Sequence, residues 1–455
     1  MLKKWLSTYN IKYPRSIIYM LQSSEYKLGA YFDWLKNIKS FKKVEIRKHL
    51  IFTKKAILLL FIAWLIVCLI FISVFYFFFS FQYVLFFLTI IIAPCILAYG
   101  ILILVVLIKI CIQNPIEYFI IRQAKIKLQK HKAIKIGIAG SFGKTTMREM
   151  LKTILMEGKI VAAPPKNHNT LLGISNFIKN LKGNEEVLVF EFGEYYKGDI
   201  KEMCEFIQPE IGTITGVNEA HLEKFKNLDT TVSTIFELAD YLKDKPLYVN
   251  GENKLVKDNL LKQHIIYSRK GVLEWKVIES NTNLSGTYFT LVKGDKKFKF
   301  KSNLLGLHQV GPLVSVIHLA FSFGIEMEKI QKGVEKIKPF DHRLKPEINA
   351  SGVTIIDDSY NGNPDGVKVA IDFLTSLKEH RRFYVTPGLV EMGYKTGEIH
   401  EEIGKQLAYS GIEKVILIKN SVTPFIEKGL LNSQYLGEII WFDNGLQVFA
   451  ALPHL

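Results

Sequence analysis

From Ala56 to Ile108 the chain runs for 53 residues without one Asp, Glu, Lys or Arg. No soluble core needs so long an uncharged run, whereas a helix crosses the apolar part of a bilayer in about 20 residues. The length suits two spans, 56–79 and 84–108, joined by a turn near Ser80, Phe81 and Gln82. A removable signal peptide would be shorter and nearer the start.

Charge then orients the hairpin. Residues 1–55 carry 13 Lys and Arg against three acids, and residues 109–135 carry seven against one. Both flanks are therefore expected on the cytoplasmic side. Residues 136–455 hold 39 basic and 39 acidic side chains, so the formal net charge of +16 belongs wholly to the flanks of the apolar block. That distribution suits anionic membrane lipid, at about 1 kcal/mol per basic residue near the surface, and argues for no nucleic acid as partner. Cys68, Cys95, Cys111 and Cys204 form no CxxC or Cys/His pairing, so neither a disulfide framework nor a zinc site is expected.

The chain divides accordingly. Residues 1–55 form a basic, partly amphipathic segment in which Trp5, Tyr9, Tyr13, Ile17, Met20 and Leu21 alternate with cations, as an interfacial helix or a simple cap would. The spans fill 56–108, and a basic linker helix occupies 109–132. From 133 onward β-branched runs alternate with helical patterns, which implies α/β domains with largely parallel sheets, over 133–339 and 340–455. Strands are expected at IKIGIA, VLVFEFG, IGTITGV, PLYVN, GVTIIDD, RFYVTPG and KVILIKN, and residues 267–303 read as a small antiparallel insert.

Between Ile136 and Thr146 stands IGIAGSFGKTT, a β-run entering a glycine turn and then a helix. This order makes a phosphate cradle. Backbone N–H groups of Gly140, Ser141, Phe142 and Gly143 converge on an oxyanion, Lys144 adds a mobile cation, and Thr145, followed by Thr146, can reach a magnesium ion. The common spacing would place a glycine at 138, which is Ile138.

The form G-I-x-G-[ST]-x-G-K-[ST]-T resembles the ATP loop of the Mur ligases, ATP-dependent amide ligases of cell-wall synthesis. Further phrases carry the same resemblance. EFGEYYKGDI resembles a family phrase whose glutamate, here Glu191, ligates magnesium, and AHLE resembles one whose histidine, here His221, helps hold a second metal. KNHNTLLG is similar to an asparagine-rich substrate loop, which implies substrate roles for Asn167 and Asn169. His342-Arg343 resembles the pair whose arginine approaches ATP, and DDSYNGNP resembles the branch that adds D-alanyl-D-alanine to UDP-N-acetylmuramoyl-tripeptide. In that phrase Asp358 and Asn361 would serve ATP and Asn363 the substrate. PGLVEMG and His400 are similar to a later phrase of the same branch, with Gly388 where an aspartate is usual.

The resemblance implies a P-loop-type parallel-sheet ATPase domain and a Rossmann-like C-terminal domain, with ATP and Mg²⁺ as cofactors. Lys144, Glu191 and His221 would be catalytic, and Thr145, Glu191 and His221 would hold metal. A donor carboxylate attacks the γ-phosphate, and the amine of D-alanyl-D-alanine displaces phosphate from the acyl phosphate. The donor would be a UDP-MurNAc-peptide or a lipid-linked one, at the bacterial cytoplasmic membrane. Three departures accompany these matches. Ile235 stands where the family carries a carbamylated lysine, the membrane hairpin replaces the usual UDP-binding domain, and the last domain reads as short at Leu455. They leave two other readings open, a membrane ligase similar to poly-γ-glutamate synthases and a degenerate ATP-binding scaffold.

Overall fold

The protein is described here by a computed structural model covering residues 13–24, 26, 31–32, 35, 50–165, 168–194, 196–218, 227–349, 352–359, 362–390 and 392–452. The chain forms two compact units, Met1–Phe119 and Ile120–Leu455.

In the first unit, helices Lys54–Phe79 and Tyr83–Ile108 pack side by side around the Ser80–Gln82 turn. Thr53 caps the first by accepting from the Ala56 N–H at 3.2 Å. Ser73 and Thr89 donate to the carbonyls four residues earlier, at 3.0 and 2.7 Å, which satisfies hydroxyls that apolar surroundings would strand. Only Ala56, Leu59 and Ala63 of the first helix are buried, while Phe71 and Val84 are 71% and 74% exposed. Helices apolar all round yet exposed are out of place in water. By length and composition, Lys54–Phe79 and Ile96–Gln129 can each cross a membrane. The short helix Tyr13–Ser23 does not keep its apolar face for an interface: Ile17, Ile18 and Leu21 are fully buried in one cluster with Leu59, Ala63 and Ile101. Trp5 and Tyr9 lie outside the described residues.

The second unit is built on ten strands: β1 (Ile134–Ala139), β2 (Val161–Ala162), β3 (Val187–Glu191), β4 (Ile211–Ile214), β5 (Leu247–Asn250), β6 (Ile265–Ser268), β7 (Gly271–Val272), β8 (Trp275–Asn283), β9 (Gly286–Lys293) and β10 (Lys296–Ser302). Their order is β10-β9-β8-β7-β6-β5-β4-β1-β3-β2, parallel from β2 to β6 and antiparallel from β7 to β10. All five residues of β3 are buried, as a parallel strand covered on both faces requires. Helices Lys144–Leu155, Val310–Ser322 and Met327–Lys336 cover one face, and Leu171–Lys179, Asp199–Ile207 and Leu228–Leu242 cover the other.

Residues 267–303 are not a separate insert. Tyr267, Val272, Trp275, Phe289 and Phe300 share the core of Ile136 and Met147, and the hairpins bury that face only by continuing the main sheet. Beyond it, GVTIIDD supplies β12 (Thr354–Asp357), which pairs antiparallel with β11 (Lys345–Ile348) instead of joining a parallel sheet. The parallel C-terminal sheet comprises β13 (Phe383–Thr386), β14 (Lys414–Ile418) and β15 (Glu438–Phe442).

Helices Thr396–Tyr409 and Thr423–Asn432 pack against each other at very close range. A methyl group at Gly404 would stand 2.1 Å from the Ile426 carbonyl oxygen, and one at Gly429 would stand 2.1 Å from that of Glu401. Backbone cannot yield there as a flexible side chain would. Gly404→Ala should therefore cost about 2 kcal/mol or more and lower the thermal unfolding midpoint by several degrees in a circular-dichroism scan.

Candidate active site

The site begins where β1, β3 and β4 end side by side. β1 lies between the other two, with Ile138 opposite Glu191 and Ala139 opposite Ile214. In an open α/β sheet such carboxyl ends are where ligands bind. The loop after β1 is pinned to the residues after β4. Ser141 N–H donates to the Gly216 carbonyl at 2.8 Å, Thr215 N–H to that of Ala139 at 3.0 Å, and the Thr215 hydroxyl to that of Phe142. Gly140, at φ +145°, leaves no room for a side chain, because a Cβ would meet Thr215 Oγ1 at 2.2 Å. Gly143, at φ +76°, makes the left-handed turn into helix Lys144–Leu155. The Ser141 hydroxyl is buried and has no partner among the described residues, as a group awaiting an oxyanion would be.

Lys144 and Thr145 open the helix and meet the end of β3. Thr145 Oγ1 donates to Glu191 Oε1 at 3.1 Å, and the second oxygen of Glu191 pairs with Arg148 at 3.2 Å. Arg148 is 1% exposed and also donates to Glu149 at 2.7 Å. Lys144 Nζ donates to the Gly140 carbonyl and, at 2.7 Å, to Glu194. Burial pushes the Glu194 carboxyl above the usual range, while Lys144 pulls it down. A hydroxyl and a carboxylate oxygen at a helix N-terminus form a hard-oxygen donor set that fits magnesium. The orphaned Ser141 hydroxyl and the Lys144 ammonium fit phosphate.

A cavity of about 310 Å³ opens beside this loop, lined by Phe142, Gly143 and Thr146 from the sheet side and by Arg343, Asp358 and Asn363 from the C-terminal domain. That volume is at the lower end for a small-molecule site. Arg343 sits between His342 and Leu344, both at positive φ (60° and 45°). The Leu344 N–H donates to Asp358 Oδ1 at 3.2 Å. Asn363 is already engaged: its side-chain oxygen accepts from the Gly366 N–H at 3.0 Å, capping helix Pro364–Ser376, and from Asn218 at 2.9 Å. Asn218, just beyond β4 and 2% exposed, also donates to Asp365 at 3.0 Å, tying the two domains together.

Asn169 lies against the same strand end through its backbone, its carbonyl accepting from the Gly193 N–H at 2.9 Å. His221, Asn167 and Asn361 lie outside the described residues. Ile235 is fully buried among Leu238 and other core residues of helix Leu228–Leu242. His400 is a supporting residue: its Nε2 accepts from the Leu389 N–H at 2.8 Å, its Nδ1 bonds the Thr396 carbonyl at 2.5 Å, and burial pushes its pKa below the usual imidazole value.

Sequence reasoning did not single out Glu194, Arg148 or Asn218. Arg148 stands four residues after Lys144, one helical turn on, which was the available signal. On the far wall, Asn250, Arg269 and His308 were also missed. His308 is held near a pKa of about 4 by burial and by Arg269, and it accepts from the Gln309 amide at 2.7 Å.

Comparison with known proteins agrees with this geometry. The Mur ligase middle domain matches residues 138–320, and the Mur ligase glutamate ligase domain matches 342–444. The UDP-N-acetylmuramoyl-tripeptide--D-alanyl-D-alanine ligase of Bacillus subtilis (strain 168) is 28% identical over 310 residues, covering 68% of this chain and 67% of the relative. Its namesake in Borreliella burgdorferi is 25% identical over 310 residues, covering 65% and 64%. The chain thus spans about two thirds of these relatives. Among solved structures, MurF from Acinetobacter baumannii superposes with a TM-score of 0.65 at 21% identity over 74% of each chain. MurF ligase from Thermotoga maritima in complex with ADP gives 0.61 at 22% identity, over 72% and 79%.

Asp358 offers a pH test. Burial raises its carboxyl to about 6, with Arg343 pulling the other way. The folded chain therefore keeps a proton between about pH 4 and 6 that the unfolded chain has released, so stability falls as pH rises through that window. Asp358→Asn should raise the stability at pH 7.5 by up to about 3 kcal/mol, seen as a higher unfolding midpoint, with the gain shrinking toward pH 4.5 in a pH series of melts.

Proposed function

The chain belongs to the Mur ligase family, and from that premise we propose that it joins D-alanyl-D-alanine to a UDP-MurNAc-tripeptide or its lipid-linked counterpart at the expense of ATP. The observation that carries this reading is the cavity that Phe142, Gly143 and Thr146, flanking Lys144 and Thr145 in the chain, share with Arg343 and Asp358 from the C-terminal domain. A ligase that activates a carboxylate with ATP needs such a two-sided site, since positioning and charge neutralisation supply most of phosphoryl-transfer catalysis.

Lys144 and the loop N–H groups other than that of Ser141, which the Gly216 carbonyl takes, would receive the β- and γ-phosphates, with Arg343 on the other side of the cavity. Thr145 and Glu191 would hold Mg²⁺, which when bound neutralises charge on the phosphates. The donor carboxylate attacks the γ-phosphorus and ADP leaves. The amine of the dipeptide then attacks the acyl carbon, and phosphate departs with the C–O electron pair. His221, Asn167 and Asn361 keep the roles that the family resemblance implies for them.

We further propose that the helices Lys54–Phe79 and Tyr83–Ile108 cross the cytoplasmic membrane, with the basic flanks and the ligase domains on the cytoplasmic side and anionic lipid against the flanks. The exposed apolar faces of both helices support this. Fully buried Ile235 favours one competing reading, a scaffold that binds ATP without ligating.

Phosphate release by detergent-purified full-length protein separates the readings. With ATP, Mg²⁺, D-alanyl-D-alanine and either donor, release should require both donor and dipeptide, and the productive donor identifies the substrate. ATP binding without donor-dependent release would favour the scaffold. Lys144→Ala should lower turnover by at least about 100-fold with an unchanged circular-dichroism melt, and near-normal turnover in that variant would sink the proposal.

A further inference from the structure

Glu194 follows Glu191 by three residues and is 3% exposed. One of its carboxylate oxygens takes the Lys144 ammonium at 2.7 Å. The other, Oε2, is buried and has no hydrogen-bond partner among the described residues. A buried carboxylate normally has its remaining lone pairs satisfied, so an orphaned oxygen beside a phosphate loop calls for an explanation.

Charge balance supplies one. In the structure Lys144 is folded back onto Gly140 and Glu194, inside the loop that would receive phosphate. A triphosphate draws this lysine toward itself. Glu194 is then left as a buried anion close to a highly charged anion. Arg148, the next cation along the helix, is committed to Glu191 and Glu149. Glu191 has an oxygen on Thr145 and another on Arg148, whereas Glu194 keeps a buried oxygen with no partner among the described residues. A hard divalent cation resolves the conflict, because it accepts oxygen ligands from carboxylate and phosphate together.

We propose that Glu194 is a metal ligand: its free Oε2 takes a divalent cation that enters with the triphosphate, separate from the cation assigned to Thr145 and Glu191 and from the one assigned to His221. Nucleotide and cation then load together, and Lys144 passes from Glu194 to the phosphates. This rests on the reading of residues 140–146 as an ATP loop. It assigns a metal role to a residue that no family phrase above singled out.

The test counts metal directly. Full-length protein in detergent is loaded with a non-hydrolysable ATP analogue, and bound Mn²⁺ is measured by electron paramagnetic resonance, for the wild type, Glu194→Gln and Glu194→Asp. The expected result is one fewer Mn²⁺ per bound analogue in Glu194→Gln than in the wild type. Glu194→Asp should retain the wild-type number, with the ion lost in Glu194→Gln bound at least about fivefold more weakly. Without divalent metal, Glu194→Gln should bind the analogue at least about fivefold tighter than the wild type, because the buried repulsion is gone. Equal Mn²⁺ stoichiometry and affinity in wild type and Glu194→Gln, with analogue bound to both, would overturn the metal role and leave the ATP reading intact. No analogue binding to the wild type would overturn both. Should Glu194→Gln fail to fold, the Glu194→Asp comparison decides, and unchanged Mn²⁺ affinities there would overturn the proposal.

Discussion

The second unit depends on one close approach of backbone to backbone, between the loop after β1 and the residues after β4. Gly140 presses against Thr215, Ser141 bonds Gly216, and the Thr215 hydroxyl holds the Phe142 carbonyl. With the loop fixed there, the helix that starts at Lys144 must begin beside the end of β3. The same stretch after β4 continues to Asn218, which bonds Asn363 and Asp365 of the C-terminal domain. The phosphate loop and the domain contact therefore share a support four residues long, and a disturbance of Thr215 would be felt at both.

Around that support the chain buries more charge than stability alone would favour. Arg148, Glu191 and Glu194 are all under 9% exposed, and desolvation of such groups commonly offsets their mutual attraction. A well-packed apolar trio would hold the fold at least as well. The arrangement makes physical sense as a preorganised field, in which cations and oxygen ligands stand ready where phosphate charge will arrive and need no reorganisation when it does.

Much of this was legible in the sequence because it is local. A β-run into spaced glycines and then Lys-Thr fixes strand, turn and helix within a dozen residues, and β1 begins and ends with IKIGIA. What sequence alone did not reveal depends on neighbours distant along the chain. Nothing in EFGEYY distinguishes Glu194 from a solvated acid until the fold places Lys144 against it, 50 residues away. The hairpins of residues 267–303 have the alternation of an independent sheet, and only the shared core with Ile136 attaches them to the main one. Asn363 reads as a substrate residue from its phrase, yet the proline after it makes it a helix cap, and the cap oxygen is the one Asn218 uses.

The partition of charge bears on why a ligase would carry an apolar hairpin at all. A catalytic region with balanced charge has little attraction of its own for an anionic surface, and the basic flanks supply that attraction only beside the spans. Tethering raises the local concentration of a site for partners confined to the same membrane and does nothing comparable for a freely diffusing one. A soluble donor would gain no affinity from the hairpin, whereas a lipid-linked donor would meet the site as a neighbour in two dimensions. On the membrane reading, the energetic advantage of this architecture therefore lies with the lipid-linked substrate.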